Sequence, residues 1–281
     1  MSWLDDFGRA LEGIRMPARR RRRIYLELED HLVSDLSAAE RLGDPSELAS
    51  RFADELGTSL SRRASFAIFL ALAPLGLLFG VLFALQGAAD LGSIDPNLVG
   101  PAVILGTQIG FVGGMLALLR AYRVRDAAAV PGAQARILLR RSALGLAGGL
   151  LTVVGIFAGA LQLPGHVASW YVSLAYATAG IGAVTLLLAG ITLVRASRLQ
   201  PVSPGAAQGD LESDLGPFVP TALLGNPWRL ALSIAGLVAL CIALAGIVQG
   251  DPFDGLARAL ADALACLAGF LFLGRWLGVR A

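Results

Sequence analysis

The stretch SRRASFAIFLALAPLGLLFGVLFALQG, Ser61 to Gly87, decides the fold. No charged residue occurs between Arg63 and Asp90. A helix rises 1.5 Å per residue, so about 20 such residues cross the roughly 30 Å hydrocarbon core of a bilayer. The run therefore reads as a membrane span over about 65–87. Working outward, five further apolar runs have the same character, at about 98–119, 143–163, 171–194, 230–249 and 255–277. The expected fold class is all-α, a six-helix transmembrane bundle (64–281) behind a small helical domain (1–63). Composition agrees: 56% of the 281 residues are hydrophobic and only 16% are charged, against roughly 25% in soluble domains. An ordinary soluble enzyme is excluded on that ground. All basic residues are arginine and none is lysine, which reads as GC-rich codon usage rather than as chemistry.

The connections sort by charge. Arg120, Arg123, Arg125, Arg136, Arg140 and Arg141 fall on one side, with Arg195, Arg198, Arg229, Arg275 and Arg280. The other connections, 88–97, 164–170 and 250–254, hold Asp90, Asp95, Asp251, Asp254 and His166 but no arginine. Loops rich in arginine stay in the cytoplasm, so both termini and the 1–63 domain are expected there. Trp170, Tyr171, Tyr122, Trp228 and Trp276 all fall at expected interfaces, where amphipathic rings prefer to sit. The first apolar run begins only near Ser65, so the first span is expected to act as its own insertion signal. The odd spans run from Arg63 to Gln86, Arg141 to Gln162 and Arg229 to Gln249. A threefold repeat of a two-helix hairpin accounts for this; so does the general placement of arginine inside and polar residues outside.

Residues 1–63 are different: 11 arginines and 12 acids give a net charge of −1. Three helices are expected, over about 2–14, 17–42 and 45–56. Pro17 and Pro45 suit first turns, Asp44 suits an N-cap, and Gly43 and Gly57 suit helix stops. The second helix opens with five arginines, Arg19, Arg20, Arg21, Arg22 and Arg23. At 100° per residue they cover every face of a helix, so they do not form one recognition face. An apolar stripe follows them: Ile24, Leu28, Leu32 and Leu36, with Tyr25 alongside. Bases first and acids later oppose the helix dipole, so something outside the helix must compensate. Anionic lipid headgroups, a partner protein and the acids of the first helix are the candidates. Arg19–Arg23, with Arg140 and Arg141, are therefore candidate headgroup contacts. Nucleic acid is disfavoured, because the domain lacks a basic footprint and no aromatics interleave the arginines.

LEGIRMPARRRRRIYLELEDHLVSDL followed by ERLGDPSELASRFADEL resembles the HAAS domain, a helical signalling domain associated with helix-turn-helix regulators, and is similar to the permease-prefix domain. The resemblance rests on the LEDHL centre, Leu28 to Leu32, and the close from Leu42 to Phe52, and covers about residues 3–56. Two departures stand out. Only about ten residues separate the DHL and LGDP elements, where the family usually has a further helix, and the arginine run is longer. The resemblance implies a bacterial protein of the cytoplasmic (inner) membrane. It also implies a non-catalytic role in signalling or protein contact, and a PadR-type regulator or a membrane subunit as partner. Tyr25, Leu28, His31 and Leu32 are then the candidate partner-binding residues.

The membrane half carries no HExxH, Walker-type loop, GxSxG or CxxC pattern, so no catalytic, cofactor or metal site is expected. Cys241 and Cys266 read as packing residues. Gly106, Gly110 and Gly114 share one helix face and admit a close neighbour. Gln108 beside them, and Arg258 with Asp262 in the last span, are candidate intramembrane polar sites. For Gln108 an interhelical hydrogen bond is the plain alternative, and for Asp262 pairing with a snorkelling Arg258. The expected function is a membrane protein whose cytoplasmic domain couples the bilayer to a regulator or partner subunit. The alternatives are a small transporter or permease component, and an accessory structural subunit of a membrane complex.

Overall fold

The computed structural model describes residues 3–14, 16–35, 37–85, 89, 99–125, 131–198, 227–248 and 252–277. They form α1 (Trp3–Glu12), α2 (Ala18–Ser34), α3 (Ala38–Leu42), α4 (Pro45–Ala84), α5 (Val99–Arg123), α6 (Pro131–Leu161), α7 (Ser169–Ser197), α8 (Pro227–Val248) and α9 (Pro252–Leu277). No strand forms among the described residues. The chain divides into two compact units, Met1–Ala206 and Ala207–Ala281.

In the first unit α1 places acids in its first turn, Asp5 and Asp6, and Arg9 in its last, as the helix dipole favours. Phe7 and Leu11, one turn apart, are fully buried. Phe7 stacks on Trp3 and meets Phe52 edge-on, with ring centroids 5.5 and 6.2 Å apart. Trp3 Nε1 donates to the Gly43 carbonyl at 2.8 Å, tying α1 to the turn before α4.

Two helix boundaries correct the sequence reading. The expected helix over 17–42 breaks after Ser34. Asp35 adopts extended backbone, and its carboxylate accepts from the Ser37 amide (2.9 Å) and hydroxyl (2.7 Å). That local turn competes with helix continuation. Arg41 closes it with an ion pair to Asp35. Gly43 then ends α3 at φ +74°, a conformation that glycine adopts without strain.

The second correction is larger. The helix expected to stop at Gly57 runs on to Ala84, 40 residues in all, or about 60 Å. Asp44 caps its start, its Oδ2 accepting from the Glu47 amide at 2.9 Å. Between the expected stop at Gly57 and the first span the polar side chains bond back along the helix. Thr58 donates to the Asp54 carbonyl (2.8 Å), Ser61 to that of Gly57 (2.7 Å) and Ser65 to that of Ser61 (3.0 Å). These hydroxyls remain satisfied without leaving the helix. The expected boundary at 63/64 therefore falls inside α4.

Among the described residues four helices are long and apolar enough to cross a membrane: α4, α5, α6 and α7. Their outward faces are apolar; Leu70, Leu77, Phe111, Val154, Leu187 and Leu188 are each 61–72% exposed. Exposing so much apolar surface to water is unfavourable by about 25 cal/mol per Å², and lipid removes that cost. Inside lies a core that includes Ile68, Leu75, Val153, Ile156, Tyr171 and Leu186. Successive helices alternate in direction, so α4 and α6 run parallel. Gly182 faces Leu75 and Val153, Gly190 faces Leu146, and Ser65 faces Ser142. Arg63, Arg123, Arg140 and Arg195 consequently lie toward one end of the bundle, while Tyr171, which donates to the Leu82 carbonyl at 3.2 Å, lies at the other. In the first unit the tightest pair is α5 with α6, and α4 packs more on α7 than on α5, so packing there is not confined to successive hairpins.

The second unit is an antiparallel pair, α8 and α9, closed where Gly246 meets Gly255. Leu232, Leu237, Leu240, Leu256 and Leu260 point outward, each more than half exposed.

Candidate functional site

The head of the molecule, α1 to α3 with the start of α4, contains a groove. The fully buried Phe7 and Leu11 make α1 the wedge of a small core with Leu28, Ala49 and Leu56. α1 packs on both α4 and α2. The space between those two helices, about 630 Å³, is lined by Arg19, Arg20, Arg23, Ile24, Glu27, Phe52, Glu55, Leu56 and Ser59.

The arginine run thus resolves residue by residue. Arg19, Arg20 and Arg23 line the groove, while Arg22 is exposed elsewhere. Arg21 is half-buried and donates to the Ile14 carbonyl at 3.2 Å, securing the α1–α2 turn. Arg23 Nε donates to Glu27 Oε1 at 2.7 Å. That bond, with the carboxylate charge, holds the Arg23 guanidinium above even its usual range. Arg19 and Arg20 make no ion pair among the described residues.

The four expected partner contacts do not share a surface. Leu28 is only 6% exposed, inside the small core; the apolar stripe that marks it is the stripe that folds the domain. Tyr25 is half-buried against Gly8, where an added Cβ would lie 3.2 Å from its ring. Leu32 is half-buried and His31 exposed. The outward apolar residues of α2 are instead Leu26, 50% exposed, and Val33, 79% exposed. They are seven residues apart, two turns along one face, and that spacing was the available signal.

Within the membrane bundle, Arg141 is 1% exposed and its Nη1 donates to the Leu116 carbonyl at 3.2 Å. It is not a headgroup contact. It shares the α6 face of Gly145, Gly148 and Thr152, which faces α5, whereas Arg140, 100° away, is exposed. Arg120 is tied similarly, Nε donating to Gln134 Oε1 at 2.7 Å. Gly106, Gly110 and Gly114 lie on the inward side of α5. A Cβ on Gly106 would meet the Thr152 backbone at 2.7 Å, and one on Gly114 would meet Leu72 at 2.7 Å. Phe69, Leu72, Phe79, Gly106, Gly110 and Thr152 are among the lining of an apolar cavity of about 420 Å³ between α4 and α5. Gln108 is half-buried and makes no hydrogen bond among the described residues. Asp262 is half-buried on α9, one turn after Arg258, whose side chain lies outside the described residues. No cluster of metal-binding side chains occurs among the described residues.

Comparison with known protein families, with curated proteins and with solved structures finds no match to this chain.

Proposed function

We propose that this is a bacterial inner-membrane protein whose HAAS-like helical head relays the state of the membrane bundle to a cytoplasmic partner. The observation that carries the reading is the continuity of α4. One 40-residue helix contributes Phe52 and Leu56 to the head core and Ile68 and Leu75 to the membrane core. A helix without a break transmits rotation or tilt, whereas a glycine-rich linker absorbs it. The arginines at one end of the bundle support a cytoplasmic head, by the positive-inside rule. With α8 and α9 as fifth and sixth spans, both termini lie on that side. The partner, a PadR-type regulator or another membrane subunit, meets the exposed α2 face of Leu26 and Val33. Catalysis is not part of this reading. Photo-crosslinking from Val33 of the full-length protein in intact cells tests it. Capture of a defined protein, lost on Leu26→Asp, is expected; no protein adduct from Val33 sinks the relay.

A further inference from the structure

We infer that the groove between α2 and α4 binds the phosphate of an anionic membrane-lipid headgroup. The inference rests on the membrane reading and adds a ligand to it.

The walls match that chemistry. Arg19 and Arg20 present guanidinium groups without carboxylate partners among the described residues. A guanidinium fork pairs with phosphate oxygens through two parallel N–H donors. Arg23 is neutralised by Glu27, which leaves Glu55 as the one uncompensated acid of the lining. Arg62 and Arg63 follow Ser59 within about a turn on α4, so the mouth carries a clear excess of positive charge. Ile24, Phe52 and Leu56 form an apolar floor, suited to the glycerol and first acyl carbons.

The depth also matches. Phe66 is the first large apolar residue of α4 to point outward, and it marks the edge of the hydrocarbon. Ser59, at the groove's membrane end, is seven residues earlier, or about 10 Å along the axis. Headgroup layers occupy roughly 5–8 Å on each side of the hydrocarbon. Arginine side chains reach the remaining distance, since they extend well beyond the backbone.

The site also accounts for α2 itself. Its first turn holds arginines and no acid, with no side-chain cap from Pro17. That arrangement opposes the dipole, and an anion in the groove offsets it.

The test uses the full-length protein in non-ionic detergent. Short-chain phosphatidylglycerol, short-chain phosphatidylcholine and inorganic phosphate are titrated separately. Phosphatidylglycerol should bind about tenfold more tightly than phosphatidylcholine, and Arg19→Gln with Arg20→Gln should remove about that factor. Arg22→Gln, which removes one arginine of the same run from outside the groove, should change affinity less than about twofold, whereas Arg19→Gln or Arg20→Gln alone should weaken it by more than that. Glu55→Gln, which relieves repulsion, should tighten binding, and so reports on the groove even if the double variant folds poorly. Equal affinity for the two lipids overturns the site, as does equal weakening by Arg22→Gln. Displacement of the lipid by equimolar inorganic phosphate overturns the lipid assignment in favour of a free anion. A chain recovered from the soluble fraction overturns the membrane reading as well; a membrane-inserted chain blind to headgroup overturns this site alone.

Discussion

Gly148 on α6 and Gly110 on α5 bring their backbones into direct contact, so that a Cβ on Gly148 would stand 2.1 Å from the Gly110 amide nitrogen. The same closeness recurs along the pair, at Gly113 against Gly145 (2.5 Å) and Gly106 against Thr152 (2.7 Å). No flexible side chain is there to give way; the obstacle is backbone. Gly148→Ala must therefore push α5 and α6 apart, and overpacking of this kind costs about 1–3 kcal/mol. Gly80 and Gly180 have nothing within 4 Å of an added Cβ, so alanine there is expected to be neutral or mildly stabilising. Thermal unfolding of the three variants in detergent separates these outcomes, and equal melting temperatures would contradict the seam.

A second contact is polar. Ser65 Oγ lies 2.8 Å from Ser142 Oγ and 3.0 Å from the Ser61 carbonyl, with both serines buried. Each hydroxyl has one proton. With Ser65 donating to Ser61, the Ser142 proton must go to Ser65. The chain ties α4 to α6 at the arginine end of the bundle. Hydrogen bonds between membrane helices average about 0.6 kcal/mol, with a maximum near 1.7. A cycle of Ser65→Ala, Ser142→Ala and the double variant should give a coupling within that range. Additive losses would mean the two hydroxyls do not interact.

The continuity of α4 is measurable as a distance. Glu47 and Phe66 are both exposed on it, 19 residues apart and so about 28 Å along the axis. Spin labels at these positions should give one narrow distance distribution. Inserting two glycines after Thr58 should broaden it, since glycine weakens a helix interior by about 1 kcal/mol each. A distribution already broad without the insertion contradicts a rigid connection between head and bundle.

How far the sequence anticipates these features varies with the physics behind them. Apolar length and arginine placement make α4 to α7 legible, because the bilayer imposes one length and one charge bias on every span. The glycine spacing on α5 is legible for a similar reason: Gly106, Gly110 and Gly114 must share a face. What it met was not, since Gly145, Gly148 and Thr152 are far along the chain. Gly57 reads as a stop only because its helical neighbours are invisible in one dimension. There, serine and threonine bond back to the helix, and tertiary packing overrides propensity. Arg141 and Leu28 fail for one common reason. A periodic stripe announces that residues are on one face, but not whether that face meets lipid, a partner or the protein's own core.

The head should respond to acid through its turn carboxylates. The Ser46 hydroxyl and the Glu47 amide hold the Asp44 carboxyl below the usual carboxylate range. The Ser37 hydroxyl and amide, and then Arg41, do the same for Asp35. A depressed folded pKa means stability that is present above the unfolded value, about 3.9, and is lost as pH falls through the folded one. Trp3 reports on this region, because its indole donates to the Gly43 carbonyl beside the cap. In a chain with Trp170, Trp228 and Trp276 replaced by phenylalanine, Trp3 fluorescence follows unfolding of the head alone. Asp44→Ala should lower the midpoint at neutral pH, and Asp44→Asn should lower it less, since the amide oxygen still caps. Both differences from the parent should shrink as pH falls from about 4, where the unfolded chain's carboxylate takes up a proton, through the lower folded value. A gap that stays constant down to about pH 2 would mean that the charge on Asp44 contributes nothing to the α4 cap.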